Sequence, residues 1–437
     1  MNNKTPVTIF WFRRDLRLND NAGLYHALKS STPVLPLFIF DKEILDKLED
    51  KDDARVTFIY QTIEVLRQEL HQHGSSLLVM NDKAEYAWNN LINTYNIAAV
   101  YTNHDYEPYA TKRDDAIREK LQQRQIAFKT FKDQVIFEKN EVTKDDGKPY
   151  TIYTPYQRKW YGTLKPFYLK PYPTEKHFKN LVKTNILPLP SLKEIGFEKS
   201  SMHFPDKEYN NIINDYKEKR DLPAIKGTAR IGLHLRFGTL SIRELARTAH
   251  NYHEKTWLNE LIWREFYMMI MHHFPKTMDH AFRPGYDRIA WVNNEAQFKA
   301  WCNGQTGYPI IDAGMRELNA TGFMHNRVRM IVASFLSKDL LIDWRWGEHY
   351  FARKLLDYEM ASNVGGWQWA AGSGTDAAPY FRIFNPDSQT KKFDPDLQYI
   401  KKWVPEYANF SRYPKPIIDH AFARDRCLKA FKAALAK

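Results

Sequence analysis

An α/β domain followed by a larger α-helical domain is the fold class that three features of this 437-residue sequence predict. In the first third, short apolar and β-branched runs alternate with longer stretches of helical periodicity. From about Asp133 to Ile225, prolines, lysines and tyrosines replace that pattern, and no period is evident. After Thr228 almost every segment has the apolar spacing of a helix.

The first third contains the elements of a parallel sheet. Its apolar runs predict strands at Val7–Phe12, Val34–Phe40, Ser76–Met80, Ile97–Thr102 and Ile126–Phe131. The stretches between them predict helices at Asn21–Lys29, Arg55–Gln72, Lys83–Tyr95 and Tyr109–Arg124. Because strands that alternate with helices form right-handed parallel units, we expect a doubly wound, five-stranded, Rossmann-like sheet. The glycine-rich dinucleotide motif is absent after the first strand, where Arg13, Arg14 and Arg17 stand instead.

Three regions follow from this pattern. Residues 1–132 form the predicted α/β domain, residues 133–215 a wrapped interdomain linker, and residues 216–437 the α-helical domain. The helices predicted in the last part of the chain are Ile242–His253, Trp257–His273, Glu295–Asn303, Ile310–Ala320 and Asn326–Asp339.

Composition excludes several classes of protein. Hydrophobic residues make up 43% and charged residues 27% of the chain, a balance that excludes a disordered or fibrous protein. No apolar run reaches the roughly 18 residues of a membrane-spanning helix, and the first residues lead into a strand without a signal peptide. Cys302 and Cys427 are too few for a disulfide framework. The histidine pairs His250/His253 and His272/His273 lack a third metal-binding group. We therefore expect a cytoplasmic, metal-free monomer without membrane contact or an obligate protein partner.

Positive charge is concentrated outside the first third. Residues 1–150 have a net charge of −2, whereas 151–190 and 391–437 each contribute +6 to the total of +12. A solvated linker and tail would account for this distribution. A polyanionic partner is the alternative, because clustered lysines and arginines bind phosphates by releasing counterions.

Tryptophans are concentrated in the helical region. Nine of the twelve lie between Trp257 and Trp403. Core packing explains most such residues, but indoles also stack on unpaired bases and relay electrons to aromatic cofactors. The cluster therefore indicates either a large aromatic core or a stacking or redox site.

Three segments combine aromatic, charged and small residues. Glu260, Trp263 and Arg264 share one helix face, as either a surface ion pair or a functional cluster. The Met324–Met330 segment places polar, basic and thioether side chains within about one turn, which suits contacts with phosphates and base edges. In Asn363–Trp369 an amide and paired glycines suit a flat, partly polar group such as a flavin or a nucleobase.

These segments, together with Trp11–Asp20, resemble motifs of the photolyase/cryptochrome family, and Gly374–Pro386 extends the match. The similarity spans nearly the whole chain and is closest to class I cyclobutane pyrimidine dimer photolyases. The resemblance implies an N-terminal antenna domain, a helical domain that binds one FAD, and UV-damaged DNA as the partner.

The resemblance also implies roles for individual residues. Those that match the family's flavin contacts are Tyr216, Thr228, Ala229, Arg230, Ile231, Gly232, Trp257, Arg329, Asp357, Tyr358, Glu359 and Asn363. Those that match lesion and DNA contacts are Glu260, Trp263, Arg264, Asn326, Arg327, Met330, Trp369, Arg382 and Gln389. Glu260 and Asn363 are the implied catalytic side chains, with an electron relay through Trp367, nearest the flavin, then Trp344 and Trp291.

The implied function is light-dependent DNA repair, in which excited reduced FAD donates an electron to a flipped-out pyrimidine dimer. We expect desolvation beside Trp263 to raise the pKa of Glu260. A cryptochrome photoreceptor, a (6-4) photolyase and a non-catalytic DNA-binding flavoprotein are the alternatives. Asn363, and the short stretch of 34 residues after Trp403, argue against a cryptochrome. Asn326 and Met330 stand where a (6-4) photolyase should have its site histidines. Glu260 beside Trp263 argues against a non-catalytic flavoprotein.

The chain departs from the family pattern at three places. The phosphate-binding run Thr-Ser-x-Leu-Ser is here Thr228-Ala229-Arg230-Ile231-Gly232, without two hydroxyls. Glu359 replaces the Asp of many relatives. Tyr109 and Ala110 stand where folate-binding relatives carry Asn and Glu, so the type of any second antenna chromophore, folate, deazaflavin or flavin, stays open.

Overall fold

The computed structural model describes residues 5–408 and 413–436, and packing divides the chain into two units. The first unit contains the chain up to Glu138 together with Leu164–Lys207 and Ile231–Asn251. The second contains Lys139–Thr163, Glu208–Arg230 and the chain from Tyr252 onward. Packing thus assigns parts of the predicted linker, residues 133–215, to both units. The predicted domain limits stay a prediction, and residues 1 and 437, at which they begin and end, lie outside the described residues. None of the described helices is both long and apolar enough to cross a membrane.

The first unit is built on a five-stranded parallel sheet. Its strands are β1 (Val7–Phe12), β2 (Val34–Asp41), β3 (Leu78–Asp82), β4 (Ile97–Asn103) and β5 (Ala127–Phe131). Their order is β3-β2-β1-β4-β5, and all neighbouring pairs are parallel. The predicted doubly wound sheet is confirmed. Every residue of β1 is buried, as expected for a central strand covered on both faces.

Helices surround this sheet and form most of the second unit. The α-helices of the described residues are α1 (Ala22–Leu28), α2 (Lys42–Leu45), α3 (Ala54–Gln72), α4 (Ala84–Thr94), α5 (Pro108–Gln123), α6 (Tyr153–Thr163), α7 (Asn210–Ile213), α8 (Tyr216–Lys219), α9 (Gly232–Arg236), α10 (Ile242–Asn251), α11 (Thr256–His273), α12 (Glu295–Cys302), α13 (Pro309–Thr321), α14 (Asn326–Ser334), α15 (Trp344–Lys354), α16 (Met360–Ala371), α17 (Pro386–Phe393), α18 (Gln398–Trp403) and α19 (His420–Leu435). Short 3₁₀ turns lie at Pro166–Leu169, Thr174–Asn180, Pro275–Met278, Pro284–Arg288 and Pro405–Ala408. The helix predicted at Asn326–Asp339 is α14 followed by a π-helical turn, Phe335–Asp339.

The arginines after β1 have a structural role in the first unit. Arg17 Nη2 donates to Asp133 Oδ2 at 2.7 Å, and Arg243 Nη2 donates to Asp133 Oδ1 at 2.8 Å. Arg243 Nε also donates to Asp20 Oδ1 at 2.8 Å. Burial alone would raise the pKa of Asp133, but the two guanidiniums hold it below its ordinary value. This buried network ties α10, which is distant in sequence, to the end of β1.

Candidate functional site

The second unit contains a cavity of about 380 Å³. Its size falls in the range of small-molecule and cofactor sites. Several predicted flavin contacts line it, namely Arg329, Asp357, Tyr358, Glu359 and Asn363. Predicted lesion contacts also line it, namely Glu260, Trp263, Arg264, Asn326, Met330 and Trp369, together with Trp367, which is predicted to belong to the electron relay. The fold therefore gathers five of the twelve predicted flavin contacts and six of the nine predicted lesion and DNA contacts around one space.

Helix α11 forms one wall of the cavity. Glu260, Trp263, Arg264 and Tyr267 are spaced i, i+3, i+4 and i+7, which places them on one helix face. Arg220 Nη1 donates to Glu260 Oε1 at 2.5 Å. Burial raises the pKa of the Glu260 carboxyl above its ordinary value, and the Arg220 guanidinium opposes part of that shift. The carboxyl thus retains its proton to higher pH than an exposed glutamate would.

Helix α16 presents Asn363 and Trp367 to the cavity. Asn363 Nδ2 donates to the backbone oxygen of Glu348 at 3.2 Å and to Glu348 Oε1 at 2.9 Å, which fixes the orientation of the amide. The Trp367 ring lies so close to Gly347 that a Cβ there would be 2.1 Å from its Cη2 atom. Only glycine at 347 lets α15 approach the indole this closely.

An arginine and an aspartate define another part of the lining. Arg329 Nη2 donates to Asp357 Oδ2 at 2.9 Å and to Oδ1 at 3.1 Å, and its Nε donates to the backbone oxygen of Met324 at 2.7 Å. The guanidinium is therefore held in one orientation with its charge balanced. A polar, hydrogen-bonding group bound here meets fixed partners rather than mobile ones.

Other predicted flavin contacts do not line the cavity. Burial, followed by the charge of Glu260, raises the pKa of Tyr216, which lies close to this carboxyl. Trp257 stacks on Tyr209, with ring centroids 5.6 Å apart. Arg230 lies 3.7 Å from Glu317 Oε1. Thr228 and Ala229 are half-buried in the second unit, whereas Ile231 and Gly232 belong to the first.

The remaining predicted DNA contacts also lie outside the lining. Arg327 Nη2 donates to Asp221 Oδ1 at 2.8 Å, and the guanidinium lies 4.4 Å from the centre of the Phe393 ring. Arg382 is exposed and Gln389 half-buried. These residues have the accessibility that a bound polyanion requires, but Arg327 already has an anionic partner.

The predicted relay residues share one core with an additional tryptophan. Trp367, Trp344 and Trp301 are buried in the same cluster, and Trp291 packs against it. Among the described residues, the ring contacts of Trp367 are Phe351 at 5.0 Å and Trp301 at 6.0 Å. The predicted order through Trp344 to Trp291 stays a prediction, and Trp301 is the indole in direct ring contact.

Sequence reasoning missed several lining residues. Arg220 lies in a tract without helical period, so no local signal identifies it. Tyr267 could have been found, because it lies two helical turns after Glu260 on the same face. Phe351 and Leu355 come from α15 and the residue after it, where only the tertiary packing brings them to the cavity.

The lining fits a flat, partly polar cofactor such as FAD. Apolar rings face fixed hydrogen-bonding groups, which is the arrangement that cofactor sites generally have. The indole Nε1 of Trp367 is buried and has no hydrogen-bond partner among the described residues. Because a buried N–H normally has an acceptor, this atom is consistent with a ligand that completes the site.

Comparison with known proteins gives a consistent result. The profile of the family described as "DNA photolyase" matches residues 8–176, and that of "FAD binding domain of DNA photolyase" matches residues 257–412. The deoxyribodipyrimidine photo-lyase of Synechococcus sp. is 37% identical over 98% of each chain. The crystal structure of a class III photolyase from Agrobacterium tumefaciens superposes with a TM-score of 0.89 at 33% identity, covering 100% of this chain and 99% of that one. A photolyase from Sulfolobus tokodaii, described as containing two FAD molecules, has a TM-score of 0.84 at 34% identity, covering 98% of this chain and 100% of that one.

Proposed function

The chain belongs to the DNA photolyase family, and from this premise we propose that it uses light to split cyclobutane pyrimidine dimers in DNA, with FAD as its cofactor. The observation that carries this proposal is the shared cavity, in which predicted lesion contacts and predicted flavin contacts meet. The class I assignment, the monomeric state and the cytoplasmic location stay predictions.

We infer that the dimer enters this cavity as a flipped-out pair of bases. A damaged pair stacks poorly in the duplex, so extruding it costs less free energy than extruding normal bases. Trp263 and Trp369 line the cavity and would cover the flat faces of the dimer, while Asn326 and Glu260 offer hydrogen bonds to its polar edge. The protein therefore selects the dimer over undamaged bases in two ways. The dimer stacks on the two tryptophans, and its extrusion from the duplex costs less free energy.

Asn363 and the Arg329–Asp357 pair would bind the flavin on their side of the cavity, since hydrogen bonds fix the orientation of each. The chemistry that bound, reduced FAD would supply here is an electron, donated to the dimer under light. In its protonated form, which burial favours by raising the pKa, the carboxyl of Glu260 would donate a hydrogen bond to a dimer carbonyl and stabilise negative charge there. Splitting the dimer involves no net oxidation or reduction of the DNA, because the two restored pyrimidines have the same atoms and electrons as the dimer.

We also propose that the protein binds a second chromophore as a light-harvesting antenna, whose chemical type stays open. The Sulfolobus tokodaii relative contains two FAD molecules, which supports a flavin as one candidate. Tyr109 and Ala110 disfavour folate, since they replace the Asn and Glu of folate-binding relatives. An absorption spectrum before and after denaturation identifies every released pigment.

The proposed activity is tested with an oligonucleotide that contains one thymine dimer. We expect reduced holoprotein to restore intact thymines under blue or near-UV light and to leave the dimer unchanged in the dark. An oligonucleotide with a (6-4) photoproduct is the matched substrate and should remain unrepaired. Failure to repair the dimer under light would contradict the proposal, and repair of the (6-4) lesion alone would replace it with the alternative photolyase.

DNA binding should weaken steeply with salt. The chain after residue 150 carries +14, against −2 before it, and each phosphate neutralised contributes a slope of about −0.9 in a plot of log K against log salt. Replacing Arg327 with Ala should make this slope about one unit less steep, because one phosphate contact is lost. Arg118→Ala removes the same charge at an exposed position in the first third, outside the basic segments, and should leave the slope unchanged. Equal slopes for wild type and Arg327→Ala would remove Arg327 from the interface.

A further inference from the structure

Trp263, proposed above as one wall of the lesion cavity, has an aromatic partner on one of its faces. The Tyr153 ring lies parallel to it, with centroids 3.6 Å apart and an interplanar angle of 8°. Tyr153 is buried and does not line the cavity, whereas Trp263 does. One face of the indole is therefore covered by Tyr153, and Trp263 meets the cavity with surface that Tyr153 does not cover.

Tyr153 is itself fixed to α11. Its hydroxyl donates to the backbone oxygen of Asn259 at 2.9 Å. Asn259 lies four residues before Trp263, so this is the carbonyl that accepts the helical N–H of Trp263. Tyr153 therefore contacts Trp263 through the stacked ring and also binds the backbone turn that carries it.

A second connection leads from Tyr153 to the chain that follows α16. The backbone N–H of Tyr153 donates to Asp376 Oδ2 at 3.1 Å, and Thr375 Oγ1 donates to the backbone oxygen of Thr151 at 2.6 Å. Asp376 has a φ of 46°, in the left-handed region that costs free energy for residues other than glycine. Helix α16 carries Trp369, the other proposed wall, a few residues earlier.

We propose that Tyr153 is a positioning residue for lesion recognition, which fixes the plane of Trp263 and links it to the segment after Trp369. The proposal rests on the proposed function, because it assigns the Trp263–Trp369 space to a flat lesion. A wall that is already oriented loses less conformational entropy when a flat ligand binds. Tyr153 thereby increases affinity for the dimer without touching it.

The test compares binding of dimer-containing and undamaged duplexes by Tyr153→Leu, which lacks a flat ring. We expect its affinity for the dimer duplex to fall about twofold to tenfold, the amount expected when one side chain must be ordered on binding. Affinity for undamaged DNA, flavin absorbance and the repair yield per absorbed photon at saturating DNA should stay at the wild-type level. Tyr153→Phe retains the stack and should restore dimer affinity.

Tyr161→Leu is the matched control. Tyr161 lies on the same helix α6 and donates to Asn259 Oδ1 at 2.9 Å, but its ring does not contact Trp263. Its replacement should leave dimer affinity unchanged. If Tyr153→Leu folds poorly, Tyr153→Met, which fills similar space without a planar ring, should give the same selective loss of dimer affinity.

Each other outcome has a defined meaning. Unchanged dimer affinity in folded Tyr153→Leu or Tyr153→Met would overturn the inference, as would an equal loss in Tyr161→Leu. An equal loss for damaged and undamaged DNA would also overturn it, since a positioning role acts on the lesion alone. If the wild type itself shows no preference for dimer DNA, the proposed function fails. This outcome is distinct from a failure of the inference on Tyr153, because it is measured on the wild type alone.

Discussion

Replacing Trp367 with Phe should stop light-driven reduction of the bound, oxidised flavin. Trp367 lines the cavity and is the tryptophan assigned closest to the flavin, so any relay through the core of the second unit begins with it. Phe retains an aromatic ring but is much harder to oxidise. Repair by protein that has been reduced chemically beforehand should stay at the wild-type level, because the lesion contacts are unchanged.

The measurement is flavin absorbance under continuous blue light with an external reductant. Loss of one buried ring should lower the free energy of unfolding by about 1–3 kcal/mol, which thermal melting checks. Trp346→Phe is the matched control, because Trp346 is half-buried against Phe298 at 5.2 Å and has no place in the assigned relay. Photoreduction of Trp367→Phe at the wild-type rate would exclude Trp367 from the electron path.

Variants further along the chain of tryptophans distinguish two paths. Sequence resemblance assigns the outward steps to Trp344 and Trp291, whereas ring contact favours Trp301, 6.0 Å from Trp367. If the assignment holds, Trp344→Phe and Trp291→Phe block photoreduction and Trp301→Phe leaves it intact. The reverse pattern would show that the assigned order is wrong and that the electron leaves through Trp301.

Replacing Glu260 with Ala should lower the repair yield per absorbed photon tenfold or more while largely sparing DNA binding. Removing a charge-assisted hydrogen bond costs about 1.5–3 kcal/mol, and about 1.4 kcal/mol slows the step it stabilises tenfold. Glu260 Oε1 also accepts a hydrogen bond from Arg220 Nη1 at 2.5 Å, so the Ala variant leaves that guanidinium without this acceptor beside the cavity. Glu260→Gln, which keeps a hydrogen-bond donor and the shape of the side chain, should recover most of the yield.

The pH dependence of repair follows from the state of this carboxyl. Burial raises the pKa of Glu260, so the donor form persists to higher pH than in an exposed glutamate. The wild-type yield should fall as pH rises through this raised pKa, because the carboxylate cannot donate a hydrogen bond. Glu260→Gln has no proton to lose there and should show no such fall. A pH profile shared by both proteins would assign the dependence to another group.

The sheet and its helices were predictable because their signals are local. Val7–Phe12 was predicted with the bounds that β1 has, since a buried central strand is a continuous apolar run between polar residues. Helix α3 was predicted within one residue, from the apolar stripe on its inner face. Such periods follow from backbone geometry alone and need no knowledge of the packing partner.

Part of the site was predictable for the same reason. Glu260, Trp263 and Arg264 lie on one face of α11 because a helix brings residues three and four apart together. The family motifs then related this face to segments 60–100 residues away. This connection came from the resemblance to a known family, because the spacing of residues in a sequence does not give the distance between two helices.

The sequence by itself determined the fold class, the polar face of α11 and the family to which the chain belongs. Only the tertiary structure decided that Arg220 pairs with Glu260, that Asp221 holds Arg327, and that Tyr153 stacks on Trp263. Arg220, Asp221 and Tyr153 lie in stretches that read as part of an irregular linker or at its edge. Their roles arise from contacts between residues about 40 to 110 positions apart, which depend on how helices pack and leave no periodic trace along the chain.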